Sequence, residues 1–199
     1  MNIVNVGYRS TNYYVLADNR PRLLIDVGWP GTLPTMRHTC ERMGIRLEDI
    51  PYQLVTHYHP DHAGLAEELK RLGVQLIVVD TQVAGVALLR TYVKPQDHYT
   101  DIDLTGSTIL HVSESRAFLA RIGVKGEIIS TPGHSDDSVT LILDEGAAFT
   151  GDLTSPLAVP QDPADFAYRS WESIRAKGVT TIYPGHGPVR RIYRVTSDR

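Results

Sequence analysis

Short runs of apolar, β-forming residues cut off by polar turns open the chain. Residues 3–8, 13–17 and 22–27 are such runs, separated by Arg9-Ser10-Thr11-Asn12 and Asp18-Asn19-Arg20-Pro21, which predicts an antiparallel meander. The period then becomes helical. Leu33, Met36, Cys40 and Met43 recur at that spacing between Gly31 and Gly44, with Gly44 placed to stop the helix. An apolar run over 52–56 leads into a helix over 61–72, whose stripe is Leu65, Leu69 and Leu72 and whose stop is Gly73. A strand over 74–79 and a helix over 81–92 follow, with Val83, Val86, Ala87 and Arg90 on adjoining turns. Residues 93–101 are polar and irregular, either a surface connection or a loop over a site. Strand patterns return over 107–112, 126–130, 139–143, 147–150 and 180–183, with a helix expected over 164–177. An edge strand is expected over 189–195, and 196–199 should fray. This alternation predicts a layered α/β fold. No repeat, low-complexity tract or linker interrupts it, so residues 1–199 are expected to form a single domain.

Composition mainly excludes. A net charge of −3 offers no general attraction to nucleic acid or an anionic membrane. No apolar run approaches the roughly eighteen residues of a membrane span, and the first residues lack a signal-peptide layout. The single cysteine, Cys40, leaves no internal disulfide, so a reducing cytoplasm is expected. Within a predicted helix, Cys40 reads as a small buried hydrophobe rather than a ligand.

Candidate chemistry lies at strand ends. His57-Tyr58-His59-Pro60-Asp61-His62 places three imidazoles and a carboxylate within six residues, directly after an apolar run. Neutral imidazole and carboxylate are the donors of a borderline-soft divalent metal such as zinc. His57 and His59 point one way from an extended loop, while Asp61 and His62 sit where Pro60 favours a helix start. That arrangement suits two adjacent metals better than one. A histidine-rich loop with no metal role is the plain alternative. Against it stand His134, Asp152 and His186, each ending an apolar run beside a glycine. Strand ends on one sheet edge converge, which is where α/β sites form. His38, His98 and His111 have no such setting; only His98 is a pocket candidate.

Together His57-x-His59-x-Asp61-His62, Thr131-Pro132-Gly133-His134, Gly151-Asp152 and Pro184-Gly185-His186-Gly187 resemble the metallo-β-lactamase superfamily, over residues 2 to about 189. The resemblance implies a four-layer αβ/βα sandwich of two mixed β-sheets flanked by helices; the strand–helix pattern has two such halves, breaking near residue 105. It implies that His57, His59 and His134 hold one metal, that Asp61, His62 and His186 hold another, and that Asp152 bridges them. Two divalent ions, zinc by preference with iron or manganese also admissible, would activate a water as nucleophile. Asp61 beside it would be catalytic as a proton carrier. Asp26, in Ile25-Asp26-Val27-Gly28, matches the superfamily's strand-end aspartate and would support the metal loop from behind.

Departures from known branches narrow the reading. An exported antibiotic hydrolase would carry a leader and commonly differs at the second site, where Asp152 is in place. Flavodiiron proteins have Glu where this chain has His59. Nucleases with an added β-CASP domain insert it between the aspartate and the last histidine, where only residues 153–185 lie. Glyoxalase II-like thioesterases share the metal motif, but their glutathione-binding Lys and Tyr are missing from the loop after Asp152, and the chain stops at Arg199. Homoserine-lactone hydrolases place a Tyr shortly after that aspartate; here stands Ser155, with no Tyr until Tyr168. What remains is an intracellular metal-dependent hydrolase of a small molecule, cleaving an ester, thioester, lactone or phosphoester. Tyr58, Tyr99, Ser155 and Arg169 are its candidate pocket residues. No nucleic acid or membrane partner is expected, and homo-oligomerisation is left open. A reading from a different class is a persulfide dioxygenase, with one iron on the positions matching His57, His134 and Asp152. A non-catalytic metal protein would require a blocked pocket.

Overall fold

The computed structural model describes residues 1–192. Strands β1 (Asn2–Asn5), β2 (Tyr14–Ala17) and β3 (Pro21–Ile25) form the antiparallel meander. Strands β4 (Tyr52–Leu54), β5 (Gln75–Val79) and β6 (Thr108–Leu110) extend it in parallel, completing a six-stranded mixed sheet in chain order. The second sheet comprises β7 (Gly126–Ser130), β8 (Val139–Leu143), β9 (Ala147–Gly151), β10 (Thr181–Pro184) and β11 (Arg190–Arg191). Its five strands run in the order β11-β10-β9-β8-β7, with β9 and β10 parallel and the other pairs antiparallel.

Side-chain alternation along the strands explains the layers. Leu23, Ile25, Leu54, Ile77 and Val79 face Val139, Leu141 and Phe149 of the other sheet, forming a dry inter-sheet core. Tyr14 belongs to this layer, its ring edge-on to Phe149 and its hydroxyl donating to Pro184 O at 2.9 Å. Leu24, Leu76 and Val78 point outward instead. They are covered by Met36 and Cys40 of α1 (Leu33–Arg42), Leu69 of α3 (Ala66–Arg71), and Val86 and Leu89 of α4 (Val83–Tyr92). Beyond the second sheet, Trp171 and Ile174 of α6 (Phe166–Ala176) pack on Ile142 and Ile182. The result is the expected helix–sheet–sheet–helix sandwich.

Several boundaries differ from the sequence reading. The helix expected over 61–72 is two pieces, α2 (Pro60–Ala63) and α3, interrupted at Gly64 and Leu65, where Pro30 packs so close that a Cβ on Gly64 would lie 2.3 Å from its Cδ. The halves divide after residue 110 rather than near 105, since β6 pairs with β5 in the first sheet. Helix α5 (Ser115–Arg121) has no counterpart in the sequence reading: seven residues bury only Phe118 and Leu119 among their large apolar side chains, too short a stripe to register a period. Of the expected α1 stripe, Met43 is exposed because the helix has ended at Arg42. On α4 the buried face is Gly85, Val86 and Leu89, leaving Val83, Ala87 and Arg90 outside. The expected edge strand is found only as β11; its last residues and 196–199 lie outside the described residues.

Candidate metal centre

Every strand-end residue singled out above arrives at one place. The loop after β4 carries His57, His59, Asp61 and His62. His134 follows β7, Asp152 follows β9 and His186 follows β10, all at the same edge of the sandwich. Potential ligand atoms of His57, His59 and His134 form one cluster, and those of Asp61, His62, Asp152 and His186 a second, each within 4.8 Å internally. Asp152 reaches toward both: its Oδ2 lies 4.0 Å from His57 Nε2 and 3.7 Å from His134 Nε2, and 3.2 Å from His186 Nε2.

The chain fixes which nitrogen each histidine presents. His62 Nδ1 donates to Asp26 Oδ2 at 2.8 Å and His186 Nδ1 donates to the Ser10 carbonyl at 2.7 Å. Thr56 Oγ1, 3.0 Å from both Asp26 oxygens, gives its one proton there and so accepts from His57 Nδ1 at 3.2 Å. With Nδ1 so engaged, the Nε2 atoms of His57, His62 and His186 all face the site, the atoms through which these imidazoles would ligate a metal. Asp26 anchors this arrangement from a left-handed conformation (φ 59°) while also accepting from Thr56 N at 2.7 Å.

The spacings fit metal ions. Ligand atoms about 2.0–2.1 Å from a tetrahedral centre stand about 3.3 Å from one another. Here His59 Nδ1 lies 3.2 Å from His57 Nε2 and 3.1 Å from His134 Nε2. In the second cluster His62 Nε2 lies 3.2 Å from Asp152 Oδ1, and His186 Nε2 lies 3.1 Å from Asp61 Oδ2. Despite that distance His62 Nε2 and Asp152 Oδ1 lack hydrogen-bond alignment, and both are buried without any hydrogen-bond partner. Orphaned buried polar atoms are costly unless something charged holds them. Burial, reinforced by neighbouring imidazoles, holds His57 well below the usual histidine range. Burial likewise lowers His134, outweighing the attraction of Asp152. Both are therefore neutral donors at neutral pH.

Of the pocket candidates, Ser155 lines a depression that reaches His134, Asp152 and His186. Tyr58 borders the depression beside His59 and His134, but its ring is packed in the core. It is 1% exposed in the helix-side core, since only its backbone N–H, donating to Asp137 Oδ2 at 2.7 Å, serves the loop. Tyr99 packs against the same core, and Arg169 lies over the Phe166 ring, donating to the Pro163 and Ala164 carbonyls. His38 and His98 line neither depression beside the site, and His111 sits 3.3 Å from Asp80. The polar stretch 93–101 is a surface connection whose Asp97 accepts from Lys94 N. Two supports of the site are absent from the sequence reading. The Tyr8–Thr11 turn reaches across to the second sheet, where Thr11 Oγ1 donates to Asp61 Oδ2 at 3.1 Å and Asn12 Nδ2 donates to the Pro184 and Gly187 carbonyls. Gln82, fully buried, donates to the Val55 and Asp137 carbonyls and so ties the two metal-facing loops together. Gln82 sits in a helical stretch and the turn in a polar connection, so neither carries a local signal.

Comparison with known proteins agrees with the geometry. Residues 6–186 match the metallo-beta-lactamase superfamily, and the chain belongs to that family. A beta-lactamase-like protein 2 homolog from Drosophila melanogaster is 30% identical over 183 residues, covering 91% of this chain and 60% of that protein. The chain thus spans about 60% of the length of that relative, and 57% of its Caenorhabditis elegans counterpart. A "probable metallo-hydrolase" of Methanocaldococcus jannaschii is 29% identical over 201 residues, covering 92% of this chain and 90% of that protein. Among solved structures, a metallo-beta-lactamase family protein from Thermus thermophilus superposes with a TM-score of 0.73 at 20% identity, over 96% of this chain and 74% of that one, which is a likeness of fold. Among the described residues no helix is long and apolar enough to cross a membrane.

Proposed function

We propose that this protein is a dinuclear metal-dependent hydrolase of a small molecule, cleaving an ester, thioester, lactone or phosphoester bond. The observation that carries it is the tautomer arrangement: three histidines spend their Nδ1 protons on Asp26, Thr56 and Ser10 and turn Nε2 inward. His57, His59 and His134 would hold one ion, Asp61, His62 and His186 a second, with Asp152 shared. When bound, the ions, zinc by preference, would supply an activated water and polarise the carbonyl or phosphoryl oxygen. The remaining work belongs to the chain. Thr11 Oγ1 donates to Asp61 Oδ2 and so orients the carboxylate, whose other oxygen would take a proton and pass it to the leaving group. The Asp26 carboxylate keeps His62 and, through Thr56, His57 from turning. The single thiol, buried Cys40, supports a cytoplasmic setting.

A complete second cluster weighs against the mononuclear persulfide dioxygenase reading. Elemental analysis of the protein purified without added metal tests the proposal. About two zinc per chain, falling to one or fewer in Asp152→Ala with loss of hydrolysis of a panel of ester, thioester, lactone and phosphodiester substrates, is the expected outcome. About one iron per chain with oxygen uptake on a persulfide would overturn it.

A further inference from the structure

On the Asp152 and His186 flank of the site, a pocket of about 250 Å³ opens between the loop after β9 and strand β11. Ligand sites usually measure ~300–1,000 Å³, so this one suits a single acyl or aryl group. Its walls are apolar, including Leu153, Trp171, Ile182 and Ile192. Trp171 is fixed by its own Nε1, which donates to Thr154 O at 2.8 Å. One full positive charge stands among them. Arg190 lines the pocket from β11, and its Nη1 donates to Ser155 Oγ of the facing loop at 2.9 Å. Unlike Arg22, Arg116 and Arg175, it has no carboxylate partner among the described residues. A guanidinium carries five N–H donors in a planar fork matched to a carboxylate, and the Ser155 hydroxyl, which accepts from one of them, steadies that fork. The depression on the opposite flank, about 350 Å³ between His59 and Tyr92, is lined by no Lys or Arg and includes Asp136 and Asp137. The two flanks therefore differ in the charge they accept.

We propose that the Arg190 pocket binds one side of the substrate, an apolar acyl or aryl group bearing a carboxylate remote from the scissile bond. Arg190 is then a specificity-determining residue and Ser155 its positioning partner. The proposal rests on the hydrolase reading for its chemistry but not for its binding test. Calorimetric titration of the zinc-loaded protein with 4-phenylbutyrate and with 4-phenylbutanamide compares an anion with a neutral molecule of the same shape. The acid should bind about tenfold more tightly than the amide, and Arg190→Ala should remove that difference while leaving amide binding unchanged. Arg190→Gln, which keeps a donor toward Ser155, should behave like Arg190→Ala and so separates charge from support of the loop. Equal binding of acid and amide, no binding of the acid, or an acid affinity indifferent to Arg190 (capture at the histidine cluster alone) would each overturn the proposal. With matched phenyl esters of glutarate and valerate, Arg190→Ala should raise KM about tenfold for the charged ester with kcat little changed, and leave the neutral ester alone. If neither ester is cleaved, the hydrolase reading fails for esters, while the titration still decides the role of Arg190.

Discussion

Asp26 is the residue on which the site's order depends. It is 2% exposed, sits in a left-handed conformation, and divides its two oxygens among the Thr56 amide, the Thr56 hydroxyl and His62 Nδ1. Asparagine tolerates the same backbone conformation, so Asp26→Asn preserves shape and removes charge. Its amide nitrogen must then oppose either the Thr56 N–H or the His62 N–H, donor against donor. The expected result is metal affinity lowered about 10–100-fold, in competition with a chromophoric chelator, with an unchanged circular dichroism spectrum. An unchanged affinity would show that the histidines hold their orientation without the carboxylate. Asp26 was legible only through the family resemblance, because a strand-end carboxylate in Ile25-Asp26-Val27-Gly28 could equally cap the loop that follows. Ser10 was not, because it contributes only a backbone carbonyl to a histidine 176 positions away.

At the scale of elements, the site is made by strand ends that stop where a side chain must turn inward, and glycine permits the turn. At Gly185 an added Cβ would lie 2.5 Å from Asp152 Oδ1 and 2.6 Å from His62 Cε1. His62 cannot retreat, since it is fully buried and tied to Asp26. Gly185→Ala should therefore cost the second cluster its ion, seen as about half the metal content in elemental analysis, with the fold retained by circular dichroism. Full metal occupancy in that variant would mean the two residues have more room than the packing allows. This also explains why His134, Asp152 and His186 were readable from sequence, each a polar residue beside a glycine at the end of an apolar run, while His57, His59, Asp61 and His62 were readable as a cluster within six residues. The pocket was less readable. Ser155 was found by its position after Asp152, but Arg190, on a two-residue edge strand, meets it only through the pairing of β10 with β11. Tyr58 misled because its neighbours in sequence are ligands, while the alternation of side chains along an extended loop sends its ring to the opposite side, into the core.

Across the whole molecule, two sheets contribute to one edge, so the site exists only while both halves stay docked. The first half depends on a buried carboxylate remote from the site. Glu67 of α3 accepts from Asp103 N at 3.1 Å and Arg71 Nε at 3.0 Å and pairs with Lys70 at 2.8 Å, fastening the helix to the segment that leads into β6. Burial alone would raise its pKa, but the Lys70 ammonium, the Asp103 amide and the Arg71 guanidinium outweigh burial and lower it below the usual glutamate value. A carboxyl lowered on folding stabilises the native state fully above its unfolded pKa, and loses that contribution as pH falls through the folded value. Glu67→Gln mimics the protonated form. Its cost should be about 2 kcal/mol at pH 7, or roughly 4–8 °C in Tm for a domain of this size, and should shrink as pH falls through the folded value. Urea unfolding of the two proteins at pH 7 and over a series of acid pH values checks this. A gap that stays constant with pH would assign the loss to packing around Glu67 rather than to its charge. That outcome would leave the helix held to the first sheet by the packing of Ala66 and Leu69 and by Gln53 Nε2, which donates to Ala66 O at 2.9 Å.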